Sequence, residues 1–306
     1  MASVGAGVSI FSLQDAIVKG MSGSFPLHEI VFVRSLVALP ILVLVTLAET
    51  RELPRFGRAW LHLLRGLLMF GAFTCYYLSM ARLQIAEAVA LFFVAPLFVV
   101  GLSAPVLGER VQKRSWIAIG VGGLGALLIT RPGAVPLELA SLLAVIGALC
   151  YALSVFCVRR LGVTQSGGSM ALSAAFVYLL ASGGTGLALA GATEPADAGA
   201  SLHFLLHPWL WPDARNLALM AACGLISAVA FFCLGQGYRL AEASRAAPFE
   251  YLSLPWGMLW GYIFFANLPS VVTVAGALLI AGGGLYALGL ERNPRRGKAI
   301  IPKPID

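Results

Sequence analysis

The sequence predicts an all-α membrane protein, with ten transmembrane helices arranged as two inverted five-helix repeats. Three observations lead there. Of the 306 residues, 59% are hydrophobic and 11% charged, and the mean hydropathy is +0.88, far above the apolar share of ordinary soluble domains. Apolar runs of about 20 residues, enough to cross a bilayer core of about 30 Å, recur from end to end. The basic residues also sort by side. With the amino terminus on one face, that face receives 15 Lys and Arg side chains and the other four, while Arg34 and Arg65 fall inside helices. This is a positive-inside pattern, so both termini are predicted cytoplasmic. The net charge of +7 then belongs to a membrane surface rather than to nucleic-acid binding.

The predicted spans are 3–21, 27–48, 59–80, 83–107, 115–130, 137–158, 170–192, 217–238, 246–266 and 271–290. The first carries Gln14 and Asp15 and has no basic leader, which predicts a retained helix rather than a cleaved signal peptide. The second follows a turn near Ser24. Counting outward from that turn sets Lys19 opposite Glu29 and Asp15 opposite Arg34. At 1.5 Å per residue, Asp15 and Arg34 lie roughly 10 Å inside the outer face, where an unpaired charge is costly. They are predicted to form an intramembrane ion pair, which with Gln14 either borders a hydrated path or locks two helices.

A basic loop around Arg55 precedes the third span, whose Tyr76 and Tyr77 suit substrate hydrogen bonds or headgroup anchoring equally. The fourth carries Phe92 and a proline, Pro96, near mid-membrane. The fifth contains Gly120-Val121-Gly122-Gly123-Leu124-Gly125, formally a dinucleotide fingerprint. No strand precedes it, so the glycines read as a helix-packing face, as do Gly257 and Gly261. The sixth presents Tyr151 before Arg159 and Arg160, and the seventh is rich in small residues. The long connection that follows holds His203, His207, Trp209 and Trp211, which suit an outer-leaflet interface better than a metal site. The five cysteines all fall inside apolar runs without metal-ligand spacing and read as small core residues.

The ninth span is the most unusual. Pro248 and Pro255 free the carbonyls of Ser244 and Tyr251, and hydrocarbon cannot satisfy such groups. This helix, with Glu250, Tyr251 and Trp256, is the predicted wall of a substrate path, and Pro96, Pro248 and Pro255 are its predicted kinks.

An internal repeat supports the two-part plan. Arg82-Leu83-Gln84-Ile85-Ala86-Glu87-Ala88 is echoed by Arg239-Leu240-Ala241-Glu242-Ala243, with Pro96 and Pro255 following. The division predicted is residues 1–136, residues 137–292 and a basic tail at 293–306. Because five is odd, the second half enters the membrane from the opposite side, an arrangement suited to alternating access.

Ala95-Pro96 with Leu107-Gly108-Glu109-Arg110, and Pro248-Phe249-Glu250-Tyr251-Leu252-Ser253-Leu254-Pro255-Trp256 with Gly257 and Gly261, resemble the drug/metabolite transporter superfamily. The resemblance runs over the whole chain to its ten-helix EamA-type exporters, with the YddG-type amino-acid exporters the most similar group. The chain departs from the family pattern at Asn267, where glutamate is common. The resemblance implies a central cavity lined by helices one, three, four, six, eight and nine, and export of small metabolites across an inner membrane, with aromatic and other neutral amino acids the expected substrates. Gln14, Asp15, Tyr76, Tyr77, Phe92, Tyr151, Glu250, Tyr251 and Trp256 are the expected cavity residues.

The sequence holds no phosphate-binding GxxxxGK[ST] loop, so ATP is not an expected partner, and no HExxH or GxSxG motif that would suggest an enzyme. No cofactor is predicted. A gradient drives the expected transport. Uptake of another metabolite, lipid flipping and a passive channel are the alternative readings. Single-cysteine labelling from each side tests the topology: the loops holding Arg55, Lys113 and Arg160 should react only from the cytoplasm, and Arg131 and Trp209 only from outside. Labelling of the Lys113 loop by an impermeant reagent on intact cells would contradict it.

Overall fold

Proline and the need to pair every backbone group set the helix boundaries. The computed structural model describes residues 2–50, 58–108, 113–130, 139–161, 167–192, 195, 199–240 and 247–291. Among the described residues the regular elements are all helical: α1 (Ala2–Met21), α2 (Leu27–Thr50), α3 (Ala59–Met80), α4 (Ile85–Phe92), α5 (Ala95–Leu107), α6 (Lys113–Thr130), α7 (Leu139–Leu161), α8 (Gly167–Leu189), α9 (Ala200–Leu206), α10 (Ala214–Leu240), a 3₁₀ segment (Ala247–Leu252), α11 (Ser253–Phe265) and α12 (Val271–Glu291). Six stretches within them are each long and apolar enough to cross a membrane: Leu27–Ala48, Ala59–Met80, Ile85–Val106, Leu139–Val158, Gly168–Leu189 and Ala214–Cys233. The Arg55 and Arg131 loops, the Glu242 echo, the Pro136 boundary and the basic tail lie outside the described residues.

The two spans expected to be kinked are broken. α4 ends at Phe92, the chain steps through Phe93 and Val94, and α5 begins with Pro96 in its first turn, where a missing N–H leaves nothing unsatisfied. The 3₁₀ segment likewise passes directly into α11, with Pro255 again in the first turn. Ser253 Oγ–H donates to the Glu250 carbonyl at 2.8 Å, so part of the backbone acceptor capacity is met by a side chain.

Exposure is reversed relative to a soluble protein. Leu44, Leu187 and Val271 are 68%, 82% and 86% exposed, whereas Gln14, Asp15, Glu29 and Arg34 are at most 5% exposed. Leucines face outward and charges inward, the pattern that lipid as solvent requires.

The helices pack in matched pairs: α1 along α10, α3 along α7, α2 along α8, α6 along α12, and α4 against α11. α6 and α12 pack backbone to backbone. A Cβ added at Gly125 would stand 2.6 Å from the Gly276 carbonyl oxygen, and one added at Gly283 would stand 2.7 Å from that of Ala118. Gly122 and Gly125 of the false dinucleotide motif are thus packing positions, whereas Gly120 and Gly123 face open space.

At the other end of α1, Lys19 and Glu29 turn away from one another. Lys19 Nζ donates to the carbonyls of Met80 and Leu83, both at 2.6 Å, satisfying acceptors where α3 ends. Glu29 instead takes the Leu210 N–H at 3.0 Å. Trp209, beside it, packs 5.3 Å from the Phe32 ring and 5.8 Å from His28.

The close α6–α12 contact yields a stability test. Gly125→Val should lower the thermal melting temperature in detergent, because overpacking a tight contact costs about 1–3 kcal/mol. Gly123→Val, at a position where an added Cβ meets open space, should melt like the parent. Equal melting of the two variants would show that the contact does not matter.

Candidate functional site

Four residues on one face of α1, Val8, Phe11, Ser12 and Asp15, repeat at i, i+3, i+4 and i+7 and meet Met69, Phe73 and Tyr76 of α3. Val89, Phe92, Phe93, Ala95 and Pro96 close the next side, with Tyr151 of α7, Phe231 of α10, and Glu250 and Ser253 of the 3₁₀–α11 junction. Together they enclose a cavity of about 180 Å³. They belong to α1, α3, α4–α5, α7, α10 and the 3₁₀–α11 junction. The lining is chiefly aromatic. Phe92 lies 4.8 Å from Tyr76 and 5.5 Å from Tyr151, Phe73 lies 5.7 Å from Phe92, and Phe11 lies 5.8 Å from Phe231. The rings are tilted or edge-on, the arrangements their quadrupoles favour.

Asp15 is the buried acid of this wall. Its Oδ2 accepts from the Tyr76 hydroxyl at 3.0 Å, and its Oδ1 has no hydrogen-bond partner. Behind it, Gln14 is fully buried. Oriented to satisfy every neighbour, its amide oxygen accepts from Tyr77 Oη at 2.7 Å and Arg34 Nη1 at 2.8 Å, and its nitrogen donates to the Cys223 carbonyl at 3.0 Å and Ser227 Oγ at 2.5 Å.

Arg34 therefore reaches Gln14, not Asp15. Its guanidinium also lies over the rings of Tyr77, at 6.0 Å, and Tyr178, at 5.6 Å, as cations do over aromatic faces. The expected contact pair Asp15–Arg34 is replaced by a relay through α1, for a geometric reason. Neighbouring helical residues point about 100° apart, so Gln14 faces α2 and α10 while Asp15 faces α3.

Of the residues singled out in the sequence, Asp15, Tyr76, Phe92, Tyr151, Glu250 and Pro96 come together at the cavity. Gln14 and Tyr77 stand behind its wall. Tyr251 and Trp256 are placed away from it. A Cβ at Gly284 would touch the Tyr251 hydroxyl, and the Tyr251 ring packs 4.9 Å from Phe93, while Trp256 stacks on Trp260 at 5.5 Å. The cause is the 3₁₀ segment. With three residues per turn rather than 3.6, positions i and i+3 eclipse, which brings Glu250 and Ser253 to the cavity and turns Tyr251 outward. Pro255 sits in the first turn of α11 without lining the cavity, and the Pro248 side chain lies outside the described residues.

Phe11, Ser12, Phe73, Phe93 and Phe231 were not expected. Extending the helical spacing back from Asp15 gives Phe11 and Ser12, and from Tyr76 and Tyr77 gives Phe73. Phe231 carries no such signal, since its place depends on how α10 packs on α1.

A carboxylate-edged aromatic cavity inside a lipid-facing helical bundle defines a membrane transport protein. Residues 3–131 match the EamA-like transporter family. The chain is 30% identical over 265 residues to the riboflavin transporter of Rhizobium johnstonii, covering 86% of this chain and 80% of that protein. It is 28% identical to the pseudopaline exporter CntI of Pseudomonas aeruginosa (88% and 89% covered) and 23% identical to the S-adenosylmethionine uptake transporter of Rickettsia prowazekii (94% and 91%). A protein of known crystal structure shares the fold at a TM-score of 0.62 and 19% identity, over 95% of this chain and 96% of its own. The chain belongs to the EamA-like transporter family of multi-pass membrane proteins. These relatives are named for riboflavin, pseudopaline and S-adenosylmethionine, so the narrower resemblance to amino-acid exporters is not what they support.

The relay makes Gln14 the more sensitive position for stability. Gln14→Leu leaves Arg34, Tyr77 and Ser227 without their shared partner, at about 1–3 kcal/mol for each buried unsatisfied group. Asp15→Asn keeps an acceptor for Tyr76. Thermal unfolding followed by size-exclusion chromatography should therefore show the larger loss for Gln14→Leu. A larger loss for Asp15→Asn would mean that the carboxylate, not the amide, holds the helices together.

Proposed function

We propose that the protein is a secondary carrier that exports aromatic and other neutral amino acids, and related small metabolites, across the inner membrane by alternating access. One observation carries this reading: a cavity whose walls are aromatic rings and whose polar edge is two carboxylates, Asp15 and Glu250. Rings accommodate an apolar side chain, and the unpartnered Oδ1 of Asp15 is a ready acceptor for an ammonium group. Size points the same way. At about 180 Å³ the cavity is below the roughly 300–1,000 Å³ of pockets for drug-sized ligands, which suits an amino acid better than a larger heterocycle.

The ten-span, inverted-repeat plan is supported by the packing. Exchanging α1 with α7, α2 with α8, α3 with α10, α4–α5 with 3₁₀–α11 and α6 with α12 leaves the set of helix pairs unchanged: α1–α10 becomes α7–α3, and α2–α8, α6–α12 and α4–α11 map onto themselves. Both broken spans occupy the same place in their halves. The family match at 3–131 also falls within the proposed first repeat, residues 1–136, ahead of 137–292 and the tail at 293–306. Cytoplasmic termini follow from the charge asymmetry.

A second reading has its own support: the relatives include an uptake transporter and a riboflavin transporter, which favours uptake of a planar heterocycle. Proteoliposomes loaded with radiolabelled phenylalanine separate the two. Unlabelled tryptophan, tyrosine and leucine should compete, and Asp15→Asn should reduce flux about tenfold or more, the effect of about 1.4 kcal/mol of lost binding. Competition by riboflavin or S-adenosylmethionine alone would favour the second reading. Absence of any soluble-substrate flux would point to a lipid flippase.

A further inference from the structure

Arg65 has no role in the cavity wall, yet it lies on the face of α3 that forms it. It precedes Met69 and Phe73 at i, i+4 and i+8, about 6 Å along the axis from Met69. Only 9% of it is exposed. Its Nη1 donates to the Met170 carbonyl of α8 at 2.9 Å, and its Nε–H has no partner. No carboxylate of the described residues contacts it. The buried Tyr178 Oη nearby is also without a partner. Tyr178 and Tyr151 both lie within electrostatic reach of Arg65, and Tyr151, which lines the cavity, is also within reach of Glu250.

A guanidinium in hydrocarbon with one neutral acceptor is costly. A guanidinium offers only donors, and a phenol beside it offers another. A buried guanidinium with an unused N–H edge, one helical turn beyond the cavity wall at Met69, fits an anion, and a planar fork fits a carboxylate best. We propose that Arg65 is the carboxylate-binding group of the transport path, with Tyr178 Oη as its second donor. The substrate's carboxylate docks on the Arg65 Nε–H edge at one stage of the path, and its side chain and ammonium occupy the aromatic cavity edged by Asp15 and Glu250 at another. This deepens the amino-acid reading and rests on it for the ammonium and the side chain. The competing role for Arg65 is a strut tying α3 to α8 through Met170.

Competition in proteoliposomes between phenylalanine and phenylalaninamide, which keeps the ring and the ammonium but not the carboxylate, tests it. The wild-type protein should prefer phenylalanine by about tenfold or more, the effect of one charge-assisted hydrogen bond. Arg65→Gln should bring the ratio close to one while phenylalaninamide is still carried, Arg65→Lys should retain part of the preference, and Tyr178→Phe should lower it several-fold. A wild-type protein that does not discriminate, an unchanged ratio in the variants, or an equal loss for both compounds would overturn the proposal and leave Arg65 as a strut. If Arg65→Gln does not fold, the Tyr178→Phe ratio decides. If no amino acid is carried at all, the amino-acid reading fails on its own, and thermal stabilisation by phenylacetate against phenethylamine becomes the test. Stabilisation by phenylacetate that is lost in Tyr178→Phe and Arg65→Lys supports the carboxylate site, and its absence in the wild type overturns it.

Discussion

The Gln14 amide meets groups from three other helices at the centre of the bundle: Tyr77 of α3, Arg34 of α2, and the Cys223 carbonyl and Ser227 hydroxyl of α10. Lipid offers no hydrogen bonds, so buried polar groups at this depth must satisfy one another. An amide suits the junction because it accepts on one side and donates on the other. Its bonds fix the rotation of α1, and that rotation turns Asp15 toward Tyr76 and the cavity. They also draw the Arg34 guanidinium away from Asp15, which leaves one carboxylate oxygen without a partner at the cavity wall.

Around that fixed centre, the irregular backbone collects on one side. The break between α4 and α5 and the 3₁₀ segment before α11 both border the cavity, and α4 packs against α11. Non-helical backbone at membrane depth is tolerated where it is buried in protein or lines a cavity, and here it does both. The α6–α12 pair packs against these irregular segments, and within it glycines bring two backbones together with no room for a side chain. Relatives named for different cargo and for opposite directions of transport align with this chain over most of its length, as expected when a scaffold is kept and its lining varies.

Lipid as solvent explains how much was legible in the chain. Hydrophobic length, basic-residue sorting and proline position act locally or along one axis, so they reported the helices, their order and the two irregular spans without any knowledge of packing. Asp15, Tyr76, Phe92, Tyr151 and Glu250 were recognisable because polar or aromatic groups stand out in an apolar run and are expensive to place there without a purpose. What the chain could not report was direction around each helix axis. A turn of 3₁₀ geometry moved Tyr251 off the cavity while Glu250 stayed on it, and a one-residue step along α1 sent Arg34 to Gln14 instead of Asp15. Rotation and inter-helix pairing depend on contacts between residues far apart in sequence, such as Gln14 with Ser227 or Phe11 with Phe231. The sequence by itself determined that the chain crosses a bilayer many times and where its helices yield. Only the tertiary structure decided which side chains share the cavity, because that follows from how the helices turn against one another once every buried polar group has found a partner.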